Sequence, residues 1–225
     1  MNLRYLSSML VYCLVGCAST PTEEIKVGGR IGIINTVDDT VGSAVLGLTV
    51  FGNEFTEEAV DWRVRDLITD EVVARLNERP EVKDTSIINE PEIVLLMDRY
   101  PIDDYWGGSG LKVETKEGLS LIGAKYDVDQ VFLIIEGGYS IGSEFVYEGF
   151  GTLKARGGSK VYATVSIYVL DVKSNRAILD RINIKNNNYR EAEVSSQAAS
   201  SSDEVKEKVI ELEREIVNDL MRLLQ

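Results

Sequence analysis

The sequence predicts an α+β fold: a mixed β-sheet with flanking helices, a C-terminal antiparallel meander and a closing amphipathic helix. Three observations carry that prediction. Residues 131–135 (VFLII) are continuously apolar, the mark of a central strand covered on both faces. Residues 160–172 alternate strictly, with Val161, Ala163, Val165, Ile167 and Val169 set against Tyr162, Thr164, Ser166 and Tyr168. In residues 203–225 the apolar positions Val205, Val209, Leu212, Ile216, Leu220 and Leu223 form one helical stripe, with Glu, Lys and Arg opposite.

In chain order, residues 30–36 (RIGIINT) and 44–52 (AVLGLTVFG) read as two strands. Asp38, Asp39 and Gly42 supply turn residues between them, which predicts a hairpin. Thr56 then has the chemistry of a helix N-cap, followed by Glu57 and Glu58 at the positive end of the helix dipole. Val60, Val64, Leu67, Ile68, Val72 and Leu76 recur at three and four, so the helix runs to just before Pro80. Residues 83–88 read as a short strand and 92–98 as a short helix. Residues 99–110 (RYPIDDYWGGSG) break regular structure, and residues 116–126 resume a helix.

The C-terminal half is rich in β-branched and aromatic residues. It predicts antiparallel strands over 145–154, 160–172 and 177–185, with turns at Gly157-Gly158 and Ser174-Asn175. The alternation in the middle strand predicts an aliphatic face turned inward and a hydroxylated face turned outward. Residues 190–202 read as a Ser/Ala-rich linker to the closing helix, which is expected to pack on its own sheet.

Composition removes whole classes of chemistry. The chain of 225 residues has no histidine and two cysteines, Cys13 and Cys17. Ser-His-Asp triads, Cys-His dyads, histidine-ligated haem and Cys/His zinc sites are excluded, and carboxylate, lysine, tyrosine and serine chemistry survives. The formal net charge of −13 opposes binding to nucleic acid and to anionic membrane surfaces, so no nucleic-acid partner is expected. No cofactor, metal site or catalytic set is assigned.

The N-terminus supplies an address. Met1 to Arg4 carry one positive charge, and residues 5–15 are largely apolar, far short of the about 20 residues a membrane-spanning helix needs. Leu14, Val15, Gly16 and Cys17 follow as a lipobox, which resembles bacterial lipoprotein signal peptides. The resemblance implies cleavage after residue 16, acylation of Cys17 as the first mature residue, and anchoring through acyl chains. Arg4 then leaves with the signal and the domain becomes one unit more negative. Ala18 after the cysteine lacks the aspartate associated with inner-membrane retention. In a diderm host this implies the inner leaflet of the outer membrane, facing the periplasm. The implied organisation is signal 1–16, lipidated tether 17–27 and a single domain 28–225.

The element order is similar to periplasmic αβ domains of the TolB N-terminal type, found also in lipoproteins that activate peptidoglycan synthases and in the curli secretion lipoprotein. RIGIINT followed by GLTVFGN at 47–53 resembles uncharacterised proteobacterial lipoproteins. No catalytic motif comes with either resemblance.

Four constellations bear on function. The doublets Asp38-Asp39 and Asp103-Asp104 have the chemistry of a calcium site or an acid/base pair, or of solvated turns, and the turn reading is preferred. Tyr100, Asp103, Asp104, Tyr105 and Trp106 form the candidate partner-binding loop, since exposed amphipathic aromatics between glycines suit an interface; the alternative is a loop plugging the core edge. The pairs Gly107-Gly108, Gly137-Gly138 and Gly157-Gly158 lack a phosphate-loop pattern and read as turns. The closing helix lacks a sustained heptad. These residues lead to a non-catalytic periplasmic adaptor that binds an envelope protein, with an oligomeric envelope-assembly or secretion component as the alternative and a carboxylate-dependent glycan hydrolase third.

Overall fold

Gln130–Glu136 is the strand around which the rest is organised, because its side chains alternate between two separate cores. Phe132 and Ile134 enter a core shared with two long helices, and Val131, Leu133 and Ile135 enter a second core on the other face. The protein is described by a computed structural model over residues 26–46, 53–97, 101–103, 110–141, 145–155, 158–179, 189–195, 198 and 202–224.

Twelve strands and four helices occur in the described residues. The strands are β1 (Gly29–Asn35), β2 (Thr40–Val45), β3 (Glu54–Ala59), β4 (Val82–Ile87), β5 (Ile102–Asp103), β6 (Gly110–Leu111), β7 (Gln130–Glu136), β8 (Gly138–Ile141), β9 (Phe145–Ala155), β10 (Gly158–Asp171), β11 (Arg176–Leu179) and β12 (Tyr189–Val194). The helices are α1 (Val64–Asn77), α2 (Pro91–Leu96), α3 (Val113–Lys125) and α4 (Asp203–Leu223). Ten strands form one mixed sheet, with β5 and β6 as a separate ladder. The α+β class, the flanking helices and the closing amphipathic helix are therefore as the sequence predicts.

β10 is long because it is paired in two blocks. Its first half pairs with β9 and β12, and its second half with β7 and β11, all antiparallel. Thr164 sits at the join, where its hydroxyl donates within 2.9 Å of the Gly137 carbonyl and 3.1 Å of the Gly149 carbonyl. β7 and the second half of β9 thus lie end to end along one edge of β10, with the β8–β9 hairpin as an excursion between them. β1 lies parallel to β7, and β2 lies parallel to β9.

One face of the sheet is covered by α1 and α4, the other by α2 and α3. α4 buries Val205, Val209, Leu212, Ile216, Val217 and Leu220 and packs on β10, β12 and α1, so the closing helix does pack on its own sheet. Ser202 caps it, its Oγ accepting from the Val205 amide at 3.4 Å. An ion pair of 2.6 Å between Arg190 on β12 and Asp219 ties the helix to the sheet edge.

Five expectations are corrected. β1 and β2 do not form a hairpin; β1 pairs in parallel with β4 and β7, and β2 pairs with β3 and β9. Thr56 caps no helix, because residues 54–59 are drawn into the ladder with β2. α1 begins at Val64 instead, after Arg63 in the left-handed region (φ 46°), and the Asp39 carboxylate caps it from a distance by accepting the Arg65 amide at 3.0 Å. The hydroxylated face of β10 is buried, Tyr162 and Thr164 completely, since α2, α3 and neighbouring strands cover what a meander on its own would expose. The linker 190–202 contains β12, and Val27, placed in the tether, is buried in the core.

Candidate binding surface

The 99–110 break is anchored at both ends by described structure. β5 and β6 pair Ile102 with Leu111 and Asp103 with Gly110, which closes the base of the loop. The Pro101 carbonyl accepts the Lys112 amide at 2.9 Å and the buried Thr115 hydroxyl at 3.3 Å, so the start of α3 is fastened to the strand before the loop. Of the predicted loop residues, Asp103 lies in β5, whereas Tyr100, Asp104, Tyr105 and Trp106 fall outside the described residues, as does Cys17.

α2 and α3 form the layer beside this loop. Ile93, Met97, Leu119 and Ile122 turn inward with Leu111 and Val128. The two helices approach closely at Gly118, where a Cβ would stand 2.8 Å from Met97 Sδ and 3.3 Å from Leu96 Cβ. Lys125 at the end of α3 pairs with Glu90 before α2 at 2.9 Å, and this hydrogen bond holds the Glu90 carboxyl below its ordinary range. Lys125 also lies 5.4 Å from the centroid of the Tyr126 ring.

The outer side of the same pair is apolar and uncovered. Leu95 is 81 % exposed, Val113 66 % and Leu121 47 %. Leu96, Val113 and Leu121 line a groove of about 530 Å³, with Lys116, Glu117 and Ser120. Exposed apolar side chains along a groove suit a binding face, since burying them stabilises an association by about 25 cal/mol per Å² of apolar area before ordering costs.

A second concavity of about 380 Å³ lies at the base of the loop. It is lined by Gly110 and Leu111 of the β5–β6 ladder, Lys116 of α3, and Asn175, Arg176 and Ala177 of the β10–β11 turn. Lys116 therefore borders both the groove and the cavity. Sequence reasoning missed all of these positions. Leu95, Val113 and Leu121 resemble ordinary core residues until the helix faces are known, and Lys116 and Arg176 are sixty residues apart in the chain.

The carboxylate doublets do not form a described site. Asp39 caps α1, and Asp38 lies 3.8 Å from Arg65, so this pair serves the β1–α1 junction. Among the described residues no group of three or more Asp, Glu, His or Cys stands together as a metal site would require. None of their helices is long and apolar enough to cross a membrane.

No protein-family model matches the sequence, and no curated protein matches it either. Among solved structures the fold is similar to protein XCC0632 from Xanthomonas campestris, described under the family model DUF330, with a TM-score of 0.41, 8 % identity, and coverage of 91 % of this chain and 90 % of that one. It is also similar to the hypothetical protein CT253 from Chlamydia trachomatis, with a TM-score of 0.41, 11 % identity, and coverage of 88 % and 98 %.

Proposed function

We propose that this protein is a lipid-anchored adaptor of the bacterial cell envelope, held by acyl chains on Cys17 and binding an apolar segment of an envelope protein in the groove between α2 and α3. The observation that carries the reading is the groove lined by Leu96, Val113 and Leu121, of which Val113 and Leu121 are exposed. Exposed leucines and valines on an otherwise acidic surface favour burial against a partner over solvent. The lipobox supports the anchor, and the chain from Cys17 to Lys26 reaches at most roughly 30 Å, which keeps the start of the domain close to the bilayer. An outer-membrane inner leaflet facing the periplasm is the location that Ala18 supports in a diderm host.

The test is in-cell photo-crosslinking of the full-length chain from positions 96, 113 and 121, with the exposed Asp70 of α1 as control. The expected result is one recurrent envelope protein captured from the three groove positions and not from position 70, with capture from 96 and 113 lost when Leu121→Glu is added. Crosslinks chiefly to other copies of the chain would replace the adaptor reading with the assembly reading. Equal capture from the control would remove the groove as the binding face.

A further inference from the structure

We propose that, when the protein is out of a bilayer, an acyl chain carried by Cys17 lies in the groove between α2 and α3, and that its insertion into a membrane empties the groove for the partner. The inference rests on the adaptor reading, whose anchor and groove it joins into one device.

The groove suits a hydrocarbon because its lining offers no unused uncharged polar side chain. Its apolar walls are Leu96 of α2 and Val113 and Leu121 of α3. Ser120 is the only uncharged polar residue among the described lining, and its hydroxyl already donates to the Lys116 carbonyl at 2.9 Å. Lys116 and Glu117 are neighbours of opposite charge, and their methylene stems add apolar surface beneath the charged heads. An extended peptide laid there would leave backbone N–H and C=O groups without partners, whereas a polymethylene chain has none to satisfy and a helical segment satisfies its own. The acyl chain and a partner helix therefore use the same surface, one at a time. From Val113 to Leu121 the stripe on α3 spans about 12 Å. One leaflet of hydrocarbon is about 15 Å deep, half of a roughly 30 Å core, so most of one acyl chain fits along the stripe.

The anchor is attached within reach of this groove. The Lys26 carbonyl accepts Gln130 Nε2 at 3.1 Å, and the Gly28 amide donates to Gln130 Oε1 at 3.2 Å, which fastens the first described residues to the start of β7. A short connection joins Lys125, the end of α3, to Gln130, and within it Asp127 pairs with Arg30 of β1. Leu121 is therefore at most about 23 Å from Gln130, counting helical rise to Lys125 and extended chain beyond it. The chain from Lys26 back to Cys17 reaches at most roughly 30 Å, and the acyl chain adds about 15 Å more. A tether of this length holds the acyl chain at an effective concentration on the order of millimolar, far above that of a second copy in dilute solution.

Membrane contact reverses the preference. A bilayer surrounds every methylene, whereas an open groove covers one side of the chain, and each buried methylene adds to the difference. The acyl chain leaves the groove for the bilayer, and the apolar stripe is open to a partner only at the membrane.

The test places a benzophenone amino acid at position 121 of the acylated protein, which is diluted out of detergent to nanomolar concentration and irradiated with and without phosphatidylcholine vesicles. Trypsin then releases the lipopeptide 17–26 and the groove peptide 117–125. The expected result is a joined product of these two peptides without vesicles and none from position 70. Its yield falls at least about tenfold with vesicles, and as far in the variant Val113→Glu, which changes an exposed side chain of the groove. No joined product without vesicles, equal yield from position 70, or a yield that vesicles leave unchanged would each overturn the inference. Products of mixed mass from a mixture of isotope-labelled and unlabelled chains would overturn it too, because the acyl chain would then belong to another copy. The mass of lipopeptide 17–26 separates the two possible failures. A peptide without acyl groups removes the anchor and this inference together, whereas an acylated peptide that never joins 117–125 removes this inference alone and leaves the adaptor reading to partner capture in cells.

Discussion

Glu213→Gln should make the protein more stable at neutral pH and remove its main pH dependence. Glu213 lies on the core side of α4, only 2 % exposed, and its Oε1 has no hydrogen-bond partner. Burial pushes its carboxyl up to about 8 from an ordinary 4.5, with Arg214 opposing the shift and Glu71 of α1 adding to it. The folded state therefore holds a proton that the unfolded chain releases. Stability is fully present below about pH 4.5 and falls as the pH rises through about 8. At pH 7 the difference amounts to about 3 kcal/mol, from roughly 2.5 pH units at about 1.4 kcal/mol each. Glutamine keeps the shape and never ionises, so the variant should gain up to that amount at pH 7 and lose the slope. Urea titrations at several pH values between about 5 and 8 measure it, and with a slope near 2 kcal/mol per molar the midpoint should move by about 1–2 M at neutral pH. The absence of histidine leaves this window otherwise quiet. A Glu213→Gln variant with the wild-type pH slope would refute the assignment of a buried neutral carboxyl.

Two further outcomes follow from the same reasoning. Gly151→Val should destabilise by about 3 kcal/mol or more in a denaturant titration, because a Cβ there would overlap the Tyr162 phenol and stand 2.6 Å from the Gly42 carbonyl oxygen; unchanged stability would mean that the ring is not packed across β2 and β9. Cys17→Ala should abolish fatty-acid labelling and release the protein from membranes, and labelling that persists in the variant would sink the lipoprotein assignment.

Much of the architecture was legible because single segments carry their own periodicity. The unbroken apolar run at 131–135 identified β7 as central, and the three-and-four spacing from Val205 to Leu220 identified both α4 and its buried face. The failures share one cause, partners supplied from elsewhere in the chain. Residues 54–59 contain a capping residue and two glutamates suited to a helix start, yet the free edge of β2 offered a full ladder of backbone hydrogen bonds and the segment became β3. Local propensity is worth tenths of a kcal/mol per residue, so an available edge outweighs it. The cap that α1 lacked locally came from Asp39, 26 residues upstream of Arg65.

Functional readings divide in the same way. The sequence by itself determined the absence of histidine chemistry, the acidic charge and the helix and strand periods, and it alone supplies the 14–17 segment on which the proposed anchor rests, since each is a property of residue identity and near spacing. Tertiary structure alone decided that Leu95, Val113 and Leu121 remain uncovered, that Lys116 and Arg176 share one cavity, and that Glu213 is buried among apolar residues. Exposure, charge proximity and desolvation depend on which surfaces meet after the chain has folded, and neighbours in sequence do not encode those distances.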